Sequence, residues 1–280
     1  MEQSSQTTRN RDNYLFFAAV DNARNISQML KTVNFKEMAL VVITPNGFKV
    51  SVTDSKCIQA AAFIQADLFS EFHLKEESLS FQINLNVLLD CLTIFGPSTT
   101  SGPHPTLNMF CESPASPLIL MLVEGGVVTD CRINTLDPGD NPDFEFPPES
   151  VVNKVIMKSE ALKDAWNDLD FTSESLEISI SPDKPFLRLS THGLAGTIKI
   201  DFSKDADIME CFNCSVSQVN RYKVSLLKPS YRALTQSDKF SLRTDANGFL
   251  SLQYLITSDD KNHACFVEYI CTPDEDLFAS

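Results

Sequence analysis

Residues 137–150 read DPGDNPDFEFPPES and divide the chain into two parts of similar length. The segment contains four prolines and five acidic residues, and it has no basic residue. Because proline lacks a backbone donor and has a fixed φ, the segment can neither build a helix nor join the interior of a sheet. It is therefore predicted to be a linker. It also carries Phe144 and Phe146, two large apolar side chains that a plain spacer does not need.

The composition is that of a soluble globular protein with room for two domains. The 280 residues are 43% hydrophobic and 21% charged, as in ordinary folded domains. No apolar run reaches the length that spans a membrane, and the N-terminus is polar, without the hydrophobic segment of a secretory signal. We therefore expect a chain that stays inside the cell and has no membrane partner.

The charge of the chain limits how it could bind nucleic acid. The formal net charge is −14 at pH 7, to which residues 1–136, 137–150 and 151–280 contribute −4, −5 and −5. Proteins that bind nucleic acid with their outer surface are usually basic. Any such contact here must use a locally positive surface on an acidic protein.

The eight cysteines do not suggest a metal site. Most of them lie in apolar runs, where a reduced thiol behaves as a small hydrophobic group. Only Cys211 and Cys214 have the spacing of metal ligands, and no second pair follows at the distance that a zinc finger requires. We expect no metal and no other cofactor.

The sequence on either side of the linker begins with the same pattern. A strand-like apolar run is predicted at residues 14–20, and a second one at residues 151–157. A helix follows each run, and Ser159 is the predicted N-cap of the second helix. The apolar side chains of these helices have the spacing of one helix face: Ile26, Met29, Leu30 and Val33 in the first, and Leu162, Trp166 and Leu169 in the second.

Each half continues with further strands, a second helix and a three-stranded meander. A hairpin is predicted at residues 41–53, with an Asn46-Gly47 turn that favours type I′ geometry, and another at residues 176–190. The second helices again have apolar stripes: Leu85, Leu88, Leu89 and Leu92, then Leu227, Tyr231 and Leu234. This repetition predicts a duplicated α+β fold, with a pair of helices on one face of an antiparallel sheet in each half. The predicted domains are 13–136 and 151–276, joined by the connector 137–150.

Two tandem copies of this pattern resemble the sliding-clamp fold of proliferating cell nuclear antigen. Several stretches also resemble a narrower family, the Rad one subunits of the heterotrimeric nine-one-one DNA-damage checkpoint clamp. The stretches are VDNARNISQMLK (20–31), CIQAAAFIQADLFSEF (57–72), INLNVLLDCLTIFG (83–96), EGGVVTDCRINT (124–135), SPDKPFLRLST (181–191), QVNRYKVSLLKPS (218–230) and GFLSLQYLI (248–256).

The resemblance implies a DNA-clamp fold, with sheets outside and four helices lining a hole. It also implies a nuclear, non-catalytic subunit of a ring that encircles double-stranded DNA at damage sites. The implied partners are Rad nine and Hus one type subunits, a clamp loader, and checkpoint and repair proteins. On the helix faces opposite the apolar stripes, cations would contact phosphates weakly. These DNA-facing residues are Arg24, Lys31, Lys163, Lys228 and Arg232; the alternative is that they are only solvated.

The resemblance implies two further kinds of site. A pocket at the connector would take short peptides of other proteins, and its residues would be Val52, Ile58, Phe144, Phe146, Pro147, Tyr269 and Pro273. Alternatively, the two phenylalanines only anchor the linker. Strands at 127–135 and 194–201 would be the edges that pair with neighbouring subunits, or else ordinary internal strands. Their interface residues would be Val127, Val128, Ile133, Thr197, Ile198 and Ile200.

Three other interpretations compete with this one, and one of them is a plain α+β binding module that keeps the fold without forming a ring. A metal-dependent 3′–5′ exonuclease needs clustered carboxylates, and the candidates are Asp205, Asp207 and Glu210, or the acidic tail at 274–276. A solvated acidic loop accounts for both groups more simply. A homotrimeric processivity clamp would keep the fold but assemble from identical subunits.

Overall fold

The structure, a computed structural model, describes residues 13–96, 104–139, 144, 146–194, 196–257 and 264–274. The chain divides into two compact units. The first comprises Met1–Ser51 and Phe63–Asn141, and the second comprises Val52–Ala62 and Pro142–Ser280. Within the described ranges, no helix has the length and apolarity needed to cross a membrane.

The first unit combines two antiparallel sheets with two helices. Its strands have the orders β5-β1-β7-β8-β9 and β4-β3-β2-β6, and residues 52–62 of β3, β4 and their turn belong to the second unit. The elements are β1 Phe16–Val20, α1 Ala23–Lys31, β2 Met38–Thr44, β3 Gly47–Asp54, β4 Ile58–Gln65, β5 Glu71–Leu74, β6 Leu79–Asn84, α2 Leu85–Leu92, β7 Thr106–Cys111, β8 Leu118–Glu124 and β9 Val127–Ile133.

The second unit contains strands in the orders β14-β10-β16-β17-β18 and β13-β12-β11-β15. The elements are β10 Val151–Lys158, α3 Ser159–Asp168, β11 Ser175–Ile180, β12 Leu187–Gly193, β13 Gly196–Phe202, β14 Met209–Cys214, β15 Gln218–Lys223, α4 Val224–Leu227, α5 Tyr231–Gln236, β16 Lys239–Asp245, β17 Leu250–Thr257 and β18 Ala264–Cys271.

The predicted apolar stripes of the helices are buried. In α1, Ile26, Met29 and Leu30 pack inward, and the side chain of Asn22 caps the helix by accepting from the backbone N–H of Arg24. In α2, all four leucines of the stripe are buried, and Asn84 accepts from the N–H of Val87. Both caps satisfy a backbone donor that the first helical turn leaves without a partner.

The predicted N-cap of α3 is wrong. Ser159 is the first residue of the helix, and Lys158 occupies the cap position without a side-chain hydrogen bond. The Ser159 hydroxyl is buried and lies 2.7 Å from the hydroxyl of Ser237. Ser159 therefore lies inside the helix and bonds another element, although its residue type is typical of an N-cap.

The hairpin of β2 and β3 forms as predicted, but its turn is not type I′. Thr44 pairs with Gly47, so Pro45 and Asn46 are the two turn residues. Proline fixes φ near −65°, whereas type I′ needs a positive φ at both turn residues. Gly47 has a φ of +151°, and a Cβ at this position would overlap the carbonyl oxygen of Ile64.

The connector begins and ends with local structure. Leu136 forms an isolated bridge with Gln82, through two backbone hydrogen bonds of 2.9 Å. Contrary to the prediction for a proline-rich linker, Pro148–Ser150 forms a single 3₁₀ turn, which starts with a proline. Proline is compatible with the first turn of a helix because the missing donor is not needed there.

The close approach at Gly47 predicts a large loss of stability for Gly47→Ala. The variant combines backbone strain with the overlap at Ile64, and we expect the free energy of unfolding to fall by about 3 kcal/mol. Gly196→Ala is the control, since Gly196 also has a positive φ (+129°) but has open space around it. It should cost only the backbone strain, about 1 kcal/mol. Equal losses in urea unfolding would contradict the steric explanation.

Candidate functional site

The α1 helix presents one of its two predicted DNA-facing cations. The side chain of Arg24 is only 5% exposed, and its guanidinium lies 3.5 Å from the carboxylate of Glu124 and 3.5 Å from Nδ1 of His104. The assignment of Arg24 to an outer helix face is therefore wrong, because the guanidinium is buried and binds Glu124 and His104 of the first unit. Lys31, in the last turn of α1, is half-buried.

The helical segment after β15 carries two exposed cations. Lys228 starts the 3₁₀ turn Lys228–Ser230, and Arg232 follows in α5. The Lys228 ammonium lies 5.8 Å from the ring centroid of Phe171. This distance is close to the limit of about 6 Å for a cation–π interaction, so the contact holds the ammonium only weakly.

The α3 helix is acidic on its exposed side. Glu160, Asp164 and Asp168 are exposed, whereas Lys163 is half-buried and donates to the backbone oxygen of Ser237 at 3.1 Å. Asp90 is also exposed, on α2. Among the residues predicted to face DNA, the exposed cations are therefore Lys228 and Arg232, and α1 contributes only the half-buried Lys31.

The connector phenylalanines contact the second unit. The backbone N–H of Phe144 donates to the side-chain oxygen of Gln59 at 2.6 Å. The ring centroid of Phe146 lies 5.3 Å from the guanidinium carbon of Arg243, which in turn donates to Glu268 at 2.6 Å. Both phenylalanines are half-buried. These contacts favour the anchoring role that competed with the peptide pocket.

Three residues of the predicted peptide pocket are parts of the core. Val52, Ile58 and Tyr269 are at most 1% exposed, because the alternation of the strands points them inward. Their assignment to a surface pocket is wrong. Pro147 is exposed, and Pro273 lines a groove of about 310 Å³ together with Cys57 and Leu226.

Among the described residues, β9 and β13 are end strands of their sheets and each pairs on one side only; β5, β6, β14 and β15 are end strands as well. The strand β9 pairs with β8, and β13 pairs with β12. Val127 and Val128 are 58% and 60% exposed. In β13, Thr197 is exposed, and Ile198 and Ile200 are half-buried.

One predicted edge residue, Ile133, is buried. It lies opposite Leu118, and its side chain points into the first unit. It cannot contribute an exposed contact, so its assignment to the interface is wrong. Side chains alternate between the faces of a strand, and a contiguous range therefore always includes inward positions.

A bidentate ion pair joins β12 to β13. Arg188 donates to the two carboxylate oxygens of Asp201 at 2.6 and 2.8 Å. These hydrogen bonds lower the pKa of Asp201 and raise the pKa of Arg188. The pair was not predicted, although strand register would have placed the two side chains opposite each other.

Cys91 and Cys131 form another unpredicted contact, between α2 and β9. Burial and a side-chain hydrogen bond with Cys131, which favours the protonated thiol, together raise the pKa of Cys91 to about 12. Both cysteines are free and half-exposed. The sequence gives no signal for this contact, since the two residues are forty positions apart in unrelated elements.

The described residues contain no group of three His, Cys, Asp or Glu side chains that could hold a metal ion. Asp205, Asp207 and Glu210 are exposed, and Glu210 pairs with Lys239 at 2.8 Å. The carboxylate of Asp274 pairs with Lys223 at 3.5 Å. The remaining tail residues of the nuclease hypothesis, at 275 and 276, lie outside the described residues.

The sequence is similar to known DNA-repair and checkpoint proteins. The family model described as "Repair protein Rad1/Rec1/Rad17" matches residues 15–256. The Homo sapiens protein named "Cell cycle checkpoint protein RAD1" is 53% identical over 266 residues, which cover 95% of this chain and 94% of that protein. Its Mus musculus namesake is 52% identical over 266 residues, or 95% of each chain.

A more distant relative has the name of an enzyme. The Mycosarcoma maydis protein named "DNA repair exonuclease REC1" is 23% identical over 191 residues. The alignment covers 57% of this chain and 41% of that protein.

The Arg188–Asp201 pair predicts a pH-dependent coupling between β12 and β13. Because the folded-state pKa of Asp201 is lowered, the pair stabilises the fold above the pKa of an unfolded aspartate, about 3.9. The contribution is lost as the pH falls through the lowered folded-state value. A double-mutant cycle of Arg188→Gln and Asp201→Asn should give favourable coupling at neutral pH and none in strong acid.

A cycle between Arg188→Gln and Glu210→Gln is the matched control, since Glu210 pairs with Lys239 instead. It should give no coupling at either pH. Coupling between Arg188 and Asp201 that persists in strong acid would contradict an ionic origin.

Proposed function

The chain belongs to the family of repair proteins Rad1/Rec1/Rad17, and on that basis we propose that it is a non-catalytic subunit of a heterotrimeric ring-shaped clamp. The ring would encircle double-stranded DNA at damage sites in the nucleus. There it would carry checkpoint and repair proteins. The observation that carries this proposal is the match to the family over residues 15–256.

The element orders of the two units support a duplicated clamp fold. Each half of the chain has one strand and one helix, then five strands, a second helical segment and three strands. A backbone hydrogen bond also recurs in each unit after the last strand. Leu136 N–H donates to the oxygen of Gln82, and Asp274 N–H donates to the oxygen of Arg221. Domains at 13–136 and 151–276, with four helices on an inner face, follow from this proposal.

The open edges of β9 and β13 are the proposed contacts with neighbouring subunits. An edge strand offers unpaired backbone groups, which another strand can satisfy. The exposed Val127 and Val128 on β9, and Thr197, Ile198 and Ile200 on β13, would accompany that pairing. We propose two different neighbours, of the Rad nine and Hus one types.

The proposed contacts with DNA phosphates are Lys31, Lys163, Lys228 and Arg232. Each phosphate that is neutralised contributes about −0.9 to the logarithmic salt slope of binding. Four cations, one of which also bonds Ser237, would give only a weak attraction. Retention on DNA would therefore depend on encirclement, and opening of the ring would need a clamp loader.

For partner peptides we still propose part of the connector site, and its residues are Phe144, Phe146, Pro147 and Pro273. The exposed Pro147 and the groove beside Pro273 are accessible, and aromatic side chains on a loop are common hot spots. The anchoring contacts of the phenylalanines limit this role to peptides that bind over the connector. Peptides that need a deep apolar pocket at Val52, Ile58 and Tyr269 are excluded by the burial of those side chains.

The edge proposal predicts that Val127→Asp combined with Val128→Asp prevents assembly. Two new carboxylates beside the unpaired backbone of β9 would have to lose water when a strand pairs there. We expect co-purification with Rad nine and Hus one type subunits to fall at least tenfold, about 1.4 kcal/mol. The measurement is recovery of the complex from co-expressing cells, followed by size exclusion.

Val216→Asp with Val219→Asp is the matched control, because these valines are also about half exposed, at 46% and 54%. They lie beside and within β15, which belongs to a different sheet from β9, and the control should assemble normally. The wild-type chain alone should elute as a monomer. A stable homotrimer of the isolated chain would contradict the proposal of two different neighbours.

The DNA proposal predicts that Lys228→Glu with Arg232→Glu weakens retention of the assembled complex on duplex DNA. Reversing two charges removes two phosphate contacts and adds repulsion. The slope of log K against log salt concentration should therefore become less negative by about 2. Binding to linear duplex at several salt concentrations measures this slope. Lys75→Glu with Lys184→Glu changes the net charge equally at exposed turns and should leave the slope unchanged. If both double variants changed the slope equally, DNA binding would depend only on the net charge of the protein.

The non-catalytic proposal predicts no magnesium-dependent nuclease activity. The described residues lack a metal-binding cluster, and two-metal nucleases need carboxylates that hold cations about 4 Å apart. A purified chain should leave a labelled 3′-recessed duplex intact in magnesium or manganese. Cleavage that is lost in an Asp205→Ala, Asp207→Ala double variant would instead establish the exonuclease that the name of the distant relative suggests.

A further inference from the structure

A buried tryptophan supports two half-exposed aromatic rings at the end of α3. Trp166 is 7% exposed. Its ring centroid lies 5.1 Å from that of Phe171 and 5.9 Å from that of Tyr231, with which it is nearly parallel at 15°. Phe171 and Tyr231 are half-buried. The buried Trp166 thus fixes the positions of Phe171 and Tyr231. Part of each of these two rings remains exposed to solvent.

A cavity of about 540 Å³ opens beside Phe171. It lies between the end of α3 and the start of α4, and Ser225, Lys228 and Glu174 contribute to its lining. Its size is in the range of small-ligand sites, about 300–1,000 Å³. The cavity therefore combines an aromatic wall with polar and charged groups.

The charges of the cavity leave one cation for an anionic ligand. Lys223 also lines the cavity, but it pairs at 3.5 Å with Asp274, whose carboxylate is only 9% exposed. That pair is neutral as a unit. Lys228 is exposed and lies 5.8 Å from the Phe171 centroid, so its ammonium can exchange a weak contact with the ring for one with a phosphate.

We propose that this cavity binds one nucleotide of a single-stranded DNA, with the base stacked on Phe171 and the phosphate beside Lys228. Aromatic side chains next to cations are the usual means by which proteins hold unpaired bases, since every base has a π-face. A duplex cannot bind in this way because its bases are already stacked within the helix. That the strand is DNA rests on the proposed function of the chain.

The same geometry assigns an opposing role to Glu174. Its carboxylate is exposed and lines the cavity that receives the phosphate. It repels the ligand and keeps the affinity low. Neutralising this carboxylate should therefore strengthen binding, which a purely structural role of the aromatic rings would not produce.

The test uses the full chain and a labelled 12-residue oligothymidylate at low ionic strength. Fluorescence anisotropy measures affinity, and quenching of tryptophan fluorescence locates the strand. The chain has a single tryptophan, which contacts Phe171, so the signal comes from this site. We expect saturable quenching by the oligonucleotide, weaker quenching by thymidine monophosphate at the same concentration, and none by a duplex of equal length.

Two variants should weaken binding of the oligonucleotide, and one should strengthen it. Phe171→Leu keeps an apolar side chain but removes the stacking face, and it should weaken binding at least about fivefold. Lys228→Gln should weaken binding about as much, whereas Glu174→Gln should strengthen it at least twofold. Lys204→Gln is the matched control, since Lys204 lies 4.7 Å from the ring centroid of Phe186 elsewhere in this unit. It should leave the affinity unchanged.

The proposal is overturned if Phe171→Leu and Lys228→Gln, with unchanged thermal unfolding, bind the oligonucleotide as the wild type does. Equal quenching by the duplex also overturns it. Loading of the assembled ring onto circular duplex DNA tests the proposed function separately. Phe171→Leu should load normally, and failure of the wild type to load would count against the clamp function and not against the cavity.

Discussion

The unpaired side of two edge strands is the constraint on which the proposed assembly depends. A backbone N–H or carbonyl that loses water must find a partner, so β9 and β13 can be covered only by something that supplies complementary backbone groups. Both strands also carry charges of both signs, Asp130 and Arg132 on β9, and Lys199 and Asp201 on β13. Such charges discourage random pairing of edges. The choice of neighbour would then depend on register and on side-chain fit more than on net charge.

The connector depends on a different kind of contact. Phe146 covers the guanidinium of Arg243, which pairs with Glu268 and donates to Ser251 at 2.8 Å. The side chain of Arg243 is only 12% exposed, so its charge is stabilised mainly by these partners. Removing one partner of a buried pair is costly because it leaves the other charge uncompensated. The surface below Phe146 is therefore polar, and it differs from the apolar floor expected for a pocket that receives hydrophobic peptide anchors.

The sequence predicted the elements better than the exposure of particular side chains. Periodicity identified α1, α2 and the meanders because burial of an apolar face leaves a regular trace in the sequence. It could not show that Arg24 is buried, since the partner Glu124 is a hundred residues away and only the fold brings the two together. Val52, Ile58 and Tyr269 were misplaced for a related reason, because a position carried over from a family does not specify which face of a strand it occupies. Ser159 had the residue type of a cap, but a tertiary hydrogen bond to Ser237 took its hydroxyl.

The buried cysteines have a practical consequence for biophysical work on this protein. Burial raises the pKa of the Cys111 and Cys271 thiols to about 12, and burial with the Cys131 contact does the same for Cys91. At neutral pH these thiols therefore stay protonated, and the thiolate is the reactive form. Maleimide dyes would therefore bypass these three positions. Labelling an introduced surface cysteine would then require replacement of the half-exposed Cys57, Cys131, Cys211 and Cys214, but not of these three thiols.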